Sequence, residues 1–211
     1  MDTIMQKIGD AGILPVIKIN ETKSAVSLAQ ALQNAKIPIA EVTFRTDNAA
    51  ECITAIRKAM PSILVGAGTI LTEDQVRQAK DAGAQFLVSP GFNPKVVEYA
   101  LKLNLPITPG VCTPSEMEQA SSFGLNILKF FPAELYGGVA LLKTLYSVYP
   151  HIKFIPTGGI SPKNLIDYAK LPNIHAIGGT WIANQDDLEK ENWNHIEQLA
   201  REAYNLFHNN R

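Results

Sequence analysis

The sequence predicts an α/β protein folded as a (β/α)8 TIM barrel with an extra N-terminal helix. Three observations carry that prediction. Eight short β-branched apolar runs alternate, from one end of the chain to the other, with segments whose apolar residues recur at three- and four-residue spacing. The 211 residues supply one large core and are short for two, so 1–211 is expected to be a single barrel domain. The connection after the first run reads Lys18-Ile19-Asn20-Glu21 and lacks the GxGxxG turn of an open dinucleotide-binding sheet, the main competitor for this alternation.

Taken in order, the residues to about Ala11 form a preceding helix. Strands are expected at 14–19, 37–44, 63–68, 85–89, 105–109, 127–130, 153–157 and 174–178. Between the second and third, Ala49, Ile53, Ile56 and Met60 mark one buried helical face. Helix starts are written at Thr72 before Glu73 and Asp74, at Thr113-Pro114-Ser115-Glu116, and at Ser161-Pro162, each with a capping side chain ahead of acids or a first-turn proline. Parallel strands joined through helices cross over right-handedly, and eight such units close into a barrel. A last helix over 192–208 turns Ile196, Leu199, Ala203 and Leu206 to one side. Both terminal helices are expected to cover the barrel ends.

Composition excludes several classes of partner. Nineteen Lys and Arg against 20 Asp and Glu give a net charge of −1, so no basic field recruits nucleic acid or an anionic membrane. Any bound anion must be held locally. No run approaches a membrane span, and the first residues lack a signal peptide's cationic start and apolar run, which implies a soluble cytoplasmic protein. Cys52 and Cys112 have no CxxC partner and read as two reduced packing thiols. His151, His175, His195 and His208 show no metal spacing, and no metal or cofactor is expected.

In a parallel barrel the chemistry gathers at the C-terminal ends of the strands. Lys129 lies there in ILKFFPAE, flanked by apolar residues where a solvated lysine would be out of place. Burial and a nearby Arg45 both disfavour ammonium, which would give the neutral amine needed to condense with a ketone. The plain alternative is a structural ion pair with Glu41. Glu41, Thr43 and Arg45 alternate with Val42 and Phe44 and so share one side of their strand. An acid beside the amine can shuttle protons, and an arginine can grip a carboxylate or phosphate in two-point fashion. A buried Glu–Arg pair that merely bridges strands would read the same way. Gly158-Gly159 and Gly178-Gly179 follow the seventh and eighth strands, where glycines and helix N-termini make the phosphate site of such barrels; tight turns without a ligand are the alternative. Thr69 offers a hydroxyl to a carboxylate and Pro90 an apolar wall, although each is also ordinary turn chemistry.

EVTFRT at 41–46, VGAGTI at 65–70, SPG at 89–91, TPG at 108–110, GLNILKFFPAELYGG at 124–138, PTGGIS at 156–161 and IGGTW at 177–181 together resemble the 2-keto-3-deoxy-6-phosphogluconate (KDPG) and 4-hydroxy-2-oxoglutarate (KHG) aldolases over nearly the whole chain. The resemblance implies a cofactor-free lysine Schiff-base aldolase, a homotrimer, that acts on a small 2-keto acid and a phosphorylated aldehyde. It implies Lys129 as the Schiff-base residue and Glu41 as general acid and base. Arg45 and Thr69 would hold the keto-acid carboxylate, Pro90, Phe131 and Thr157 would line the pocket, and Gly158, Gly159, Gly179 and Thr180 would hold phosphate. Family members often carry serine at Thr180, a swap that keeps the hydroxyl, and commonly glycine at Lys36, a surface turn. Lys18 stands where relatives carry arginine or an apolar residue and is assigned to the substrate's polar tail. Two other readings share the glycine pairs: a sugar-phosphate isomerase or epimerase, and a barrel that binds a phosphorylated ligand without turnover.

Overall fold

Apolar runs with no polar alternation form strands covered on both faces, which is what a parallel sheet wrapped in helices requires. The computed structural model describes residues 2–211. Its strands β1 (Ile13–Ile17), β2 (Ile39–Thr43), β3 (Leu64–Gly68), β4 (Leu87–Val88) and β5 (Ile107–Thr108) are buried at every position. With β9 (Ile177–Gly179) they pair in the order β5-β4-β3-β2-β1-β9, all parallel. A second parallel sheet runs β6-β7-β8, from Gly110–Val111, Ile127–Phe130 and Lys153–Pro156.

The single strand expected at 105–109 is therefore two short pieces. Pro109 has no N–H for a ladder, and on its two sides β5 pairs with β4 while β6 pairs with β7. The parallel bridges Phe154↔Ile174 and Thr157↔Gly178 join β8 to β9. Eight strand positions thus follow one another around a ring, with the ladder broken at Pro109 and reduced to bridges at the last seam.

Helices α2 (Lys23–Asn34), α3 (Ala49–Ala59), α4 (Glu73–Asp81), α5 (Pro94–Lys102), α6 (Pro114–Ser122), α7 (Gly138–Val148), α8 (Leu165–Ala169) and α9 (Gln185–Glu189) follow their strands, between α1 (Asp2–Ala11) and α10 (Trp193–His208). Thr72 caps α4 by accepting from Gln75 N, and Thr113 with Glu116 forms a reciprocal capping box on α6. Ser161-Pro162 starts only a turn. The side chain of Asn164 accepts from Ser161 N at 2.8 Å, and the helix proper begins at Leu165.

α1 lies across the N-terminal end of the ring, where the Met5 carbonyl meets His175 Nε2 at 2.8 Å. α10 does not cover an end as expected. It packs on the outside against α2, α8 and α9. Its deepest residues are Ile196, Ala200, Ala203 and Phe207, while Leu199 and Leu206 are only half-buried. Small side chains let the helix approach closely, which displaces the buried stripe by one position from the leucines.

Candidate active site

Two glycines identify the inside of the ring. A β-carbon on Gly66 would run into the Phe86 ring, and one on Gly68 would stand 2.7 Å from Glu41 Cγ and 2.8 Å from Cδ. Side chains therefore point inward at Glu41, paired in register with Val16 and Gly66, and at Thr43, paired with Gly68. Lys129 shares its register with Gly110 and Ile155, and Thr157 with Gly178. In an eight-stranded barrel, alternate strands supply successive layers of the interior. With the one-residue stagger per strand that this geometry imposes, Glu41, Val88, Lys129 and Gly178 form one layer. Val16, Gly68, Gly110 and Thr157 lie above it toward the mouth, with Leu14, Gly66, Thr108 and Ile155 below. Glycines above and beside Glu41 and Lys129 leave the interior to those two long side chains.

The pair is nearly dry. Lys129 is 6% exposed and Glu41 1%, and Nζ stands 3.7 Å from Oε1, longer than a hydrogen bond. Oε1 has no hydrogen-bond partner in the protein. Burial raises the Glu41 carboxyl above the usual carboxylate range, and the charges of Lys129 and Arg45 only partly offset it. The Phe131 ring centroid lies 5.3 Å from Nζ and forms an aromatic wall on the lysine's mouth side.

Arg45 follows β2 and is exposed at the mouth; its Nε donates to Thr43 Oγ1 at 3.2 Å. Thr69, half-buried just past β3, takes a left-handed backbone at φ 59. Pro90 is half-buried past β4, its carbonyl against Gly110. Thr157 is buried, and Gly158 and Gly159 continue it in left-handed conformations at φ 100 and 80. The loop is anchored by its carbonyls: Ala133 N donates to Thr157 O at 2.9 Å, Glu134 N to Gly158 O at 3.1 Å, and Asn164 Nδ2 to Gly159 O at 3.1 Å.

The eighth strand reaches Gly178 as expected and runs one residue further, to Gly179. Both residues belong to β9, and a β-carbon at Gly178 would stand 3.0 Å from Thr157 Cβ. Thr180 is exposed immediately after the strand. Lys18 lies one residue past the end of β1, exposed, and makes no ion pair among the described residues. The structure thus joins Lys129, Glu41 and Phe131 directly and leaves Lys18 and Thr180 at the rim.

Three features escaped the sequence reading. Gly68 makes room for Glu41, Thr43 bridges Arg45 to the Ile17 carbonyl, and Thr108 carries a buried hydroxyl with no partner in the protein. The first had a signal, since glycine inside a strand marks a close approach. Among the described residues no group of three or more His, Cys, Asp and Glu side chains could hold a metal ion, and both cysteines are free thiols.

A family model described as KDPG and KHG aldolase matches residues 4–199. The chain belongs to that family. Membership is reinforced by the 2-dehydro-3-deoxy-phosphogluconate aldolase of Treponema pallidum, 42% identical over 98% of each chain. The KHG/KDPG aldolase of Escherichia coli is 41% identical over 90% of each. A crystal structure of KDPG aldolase from Legionella pneumophila, with pyruvate captured as a covalent carbinolamine intermediate, superposes with a TM-score of 0.91 at 37% identity. That match covers 94% of this chain and 96% of the other.

Proposed function

We propose that this chain is a Schiff-base aldolase of 2-keto acids that reversibly cleaves 2-dehydro-3-deoxy-6-phosphogluconate to pyruvate and glyceraldehyde 3-phosphate, and also 4-hydroxy-2-oxoglutarate to pyruvate and glyoxylate. The observation that carries the reading is the dry Lys129–Glu41 pair at 3.7 Å. Burial raises the Glu41 carboxyl above the usual carboxylate range, which suits it to give and take protons beside the amine.

Lys129 adds to the C2 ketone. Glu41 gives a proton to the departing hydroxyl of the carbinolamine, and water leaves as the iminium forms. The Glu41 carboxylate then removes the C4 hydroxyl proton while the C3–C4 bond breaks, and its electrons move into the enamine. The aldehyde departs, Glu41 returns the proton to C3, and water hydrolyses the iminium to free pyruvate and the amine. No metal or organic cofactor enters this sequence.

Arg45 and Thr69 hold the keto-acid carboxylate, and Pro90, Phe131 and Thr157 shape the cavity. Gly158, Gly159, Gly179 and Thr180 receive the phosphate, and Lys18 meets the polar tail from the rim. The chain works as one cytoplasmic domain in a homotrimer. Support for assembly is the exposed apolar set Leu71, Leu135, Tyr136 and Val148, and sedimentation of a monomer at micromolar concentration would remove it.

The test of the activity is a coupled assay that follows pyruvate release from both substrates side by side. Release from at least one is expected without added metal. Absence of pyruvate from both overturns the reading.

A further inference from the structure

We propose that Thr43 is the positioning residue for Arg45: its buried hydroxyl holds the guanidinium by Nε, so that the terminal Nη pair alone is presented to the substrate carboxylate. The inference rests on the reading of Arg45 as the carboxylate anchor. Thr43 is 1% exposed and points into the ring from the last residue of β2. Its hydroxyl proton is committed, at 2.8 Å, to the Ile17 carbonyl of the neighbouring strand β1. That commitment turns an oxygen lone pair outward, and Arg45 Nε donates to it at 3.2 Å.

A hydroxyl can donate once and accept, so the chain Arg45 Nε to Thr43 Oγ1 to Ile17 O has one direction only. A guanidinium can meet a carboxylate through Nε and one Nη, or through both Nη groups. With Nε occupied, only the second approach remains. Arg45 is otherwise an exposed, long side chain whose freedom would be lost on binding. Tying it to a rigid strand removes part of that cost before the ligand arrives.

The same tie keeps a positive charge near Glu41. The charged groups that face the Glu41 carboxyl are Lys129, from β7, and Arg45; β1 presents Val16 and β3 presents Gly66 and Gly68. Releasing Arg45 therefore weakens one of two attractions that favour the carboxylate.

The test uses the full-length protein as wild type, Thr43→Val, Thr43→Ser, Arg45→Ala and the double variant Thr43→Val/Arg45→Ala. Steady-state kinetics of pyruvate release should show KM raised roughly five- to tenfold in Thr43→Val with kcat changed far less, the effect of one unanchored long side chain. The acid limb of the kcat profile should move to higher pH. Thr43→Ser should restore both, and Thr43→Val should add nothing in the Arg45→Ala background. A fall in kcat at unchanged KM, or additive effects in the double variant, would overturn the inference. A second readout needs no activity: the Arg45 Nε–H proton, observed by NMR in the ligand-free protein, should exchange slowly in wild type and fast in Thr43→Val. Equal exchange in the two refutes the tie. Slow exchange in a wild type that releases no pyruvate would sink the aldolase reading and leave the tie standing.

Discussion

Replacing Gly68 with alanine asks whether the placement of Glu41 limits the reaction. Gly68 has no left-handed backbone, so alanine adds no conformational strain; it adds one methyl at 2.7 Å from Glu41 Cγ and 2.8 Å from Cδ. Ordinary carbon contacts lie near 3.5–4.0 Å, so the carboxyl must swing by about 1 Å. It cannot swing freely, being 1% exposed and enclosed by Gly68 and Lys129. A misplacement of about 1 Å costs on the order of 100-fold in rate, near 2.7 kcal/mol at about 1.36 kcal/mol per tenfold. Overpacking removes a further 1–3 kcal/mol or so of stability. Pyruvate release measures the first quantity and urea unfolding the second. A Gly68→Ala enzyme that keeps wild-type kcat would refute the claim that this glycine exists to seat the acid.

Other perturbations test neighbouring parts of the site. Burial raises the Glu41 pKa, so between the unfolded and folded values the native state binds more protons and this group's contribution to stability falls as pH rises. The urea midpoint of wild type should therefore drop relative to that of Glu41→Gln on passing upward through that window, and a constant difference would contradict the shift. Thr108→Val removes a buried hydroxyl without a partner and keeps the shape, so unfolding free energy should rise by about 1 kcal/mol; a loss of that size would mean the hydroxyl is satisfied. Lys36 holds a left-handed backbone at φ 68 on an exposed turn, a conformation that glycine adopts without steric cost. Lys36→Gly should stabilise by about 0.5 kcal/mol, strain relief being partly offset by the freer unfolded chain, and a lower melting temperature would argue against strain.

The alternation of strands and helices was legible because each buried run is apolar on both faces and each helix shows one stripe. The division at Pro109 was not. A proline tells where a ladder stops, and which neighbour each half then joins depends on the whole ring. Lys129 and Glu41 stood out because charge inside an apolar strand has few bland explanations. Gly178 was placed at the end of its strand, yet the reason for a glycine there was not legible: one that supplies a tight turn and one that makes room for a neighbouring side chain look alike in sequence, and only the approach of Thr157 separates them. Alternation placed Thr43 on the inner side with Glu41, yet nothing local named Ile17 O as its acceptor. For α10 the period was right and the phase was set by packing against α2 and α8.

The most direct measurement is reductive trapping: the enzyme is incubated with pyruvate and borohydride, digested, and its peptides are mapped by mass. A single stable adduct on the Lys129 ε-nitrogen, absent from Lys129→Ala, is the predicted result. An adduct on another lysine, or pyruvate release undiminished in Lys129→Ala, would contradict the assignment of the nucleophile and the mechanism built on it.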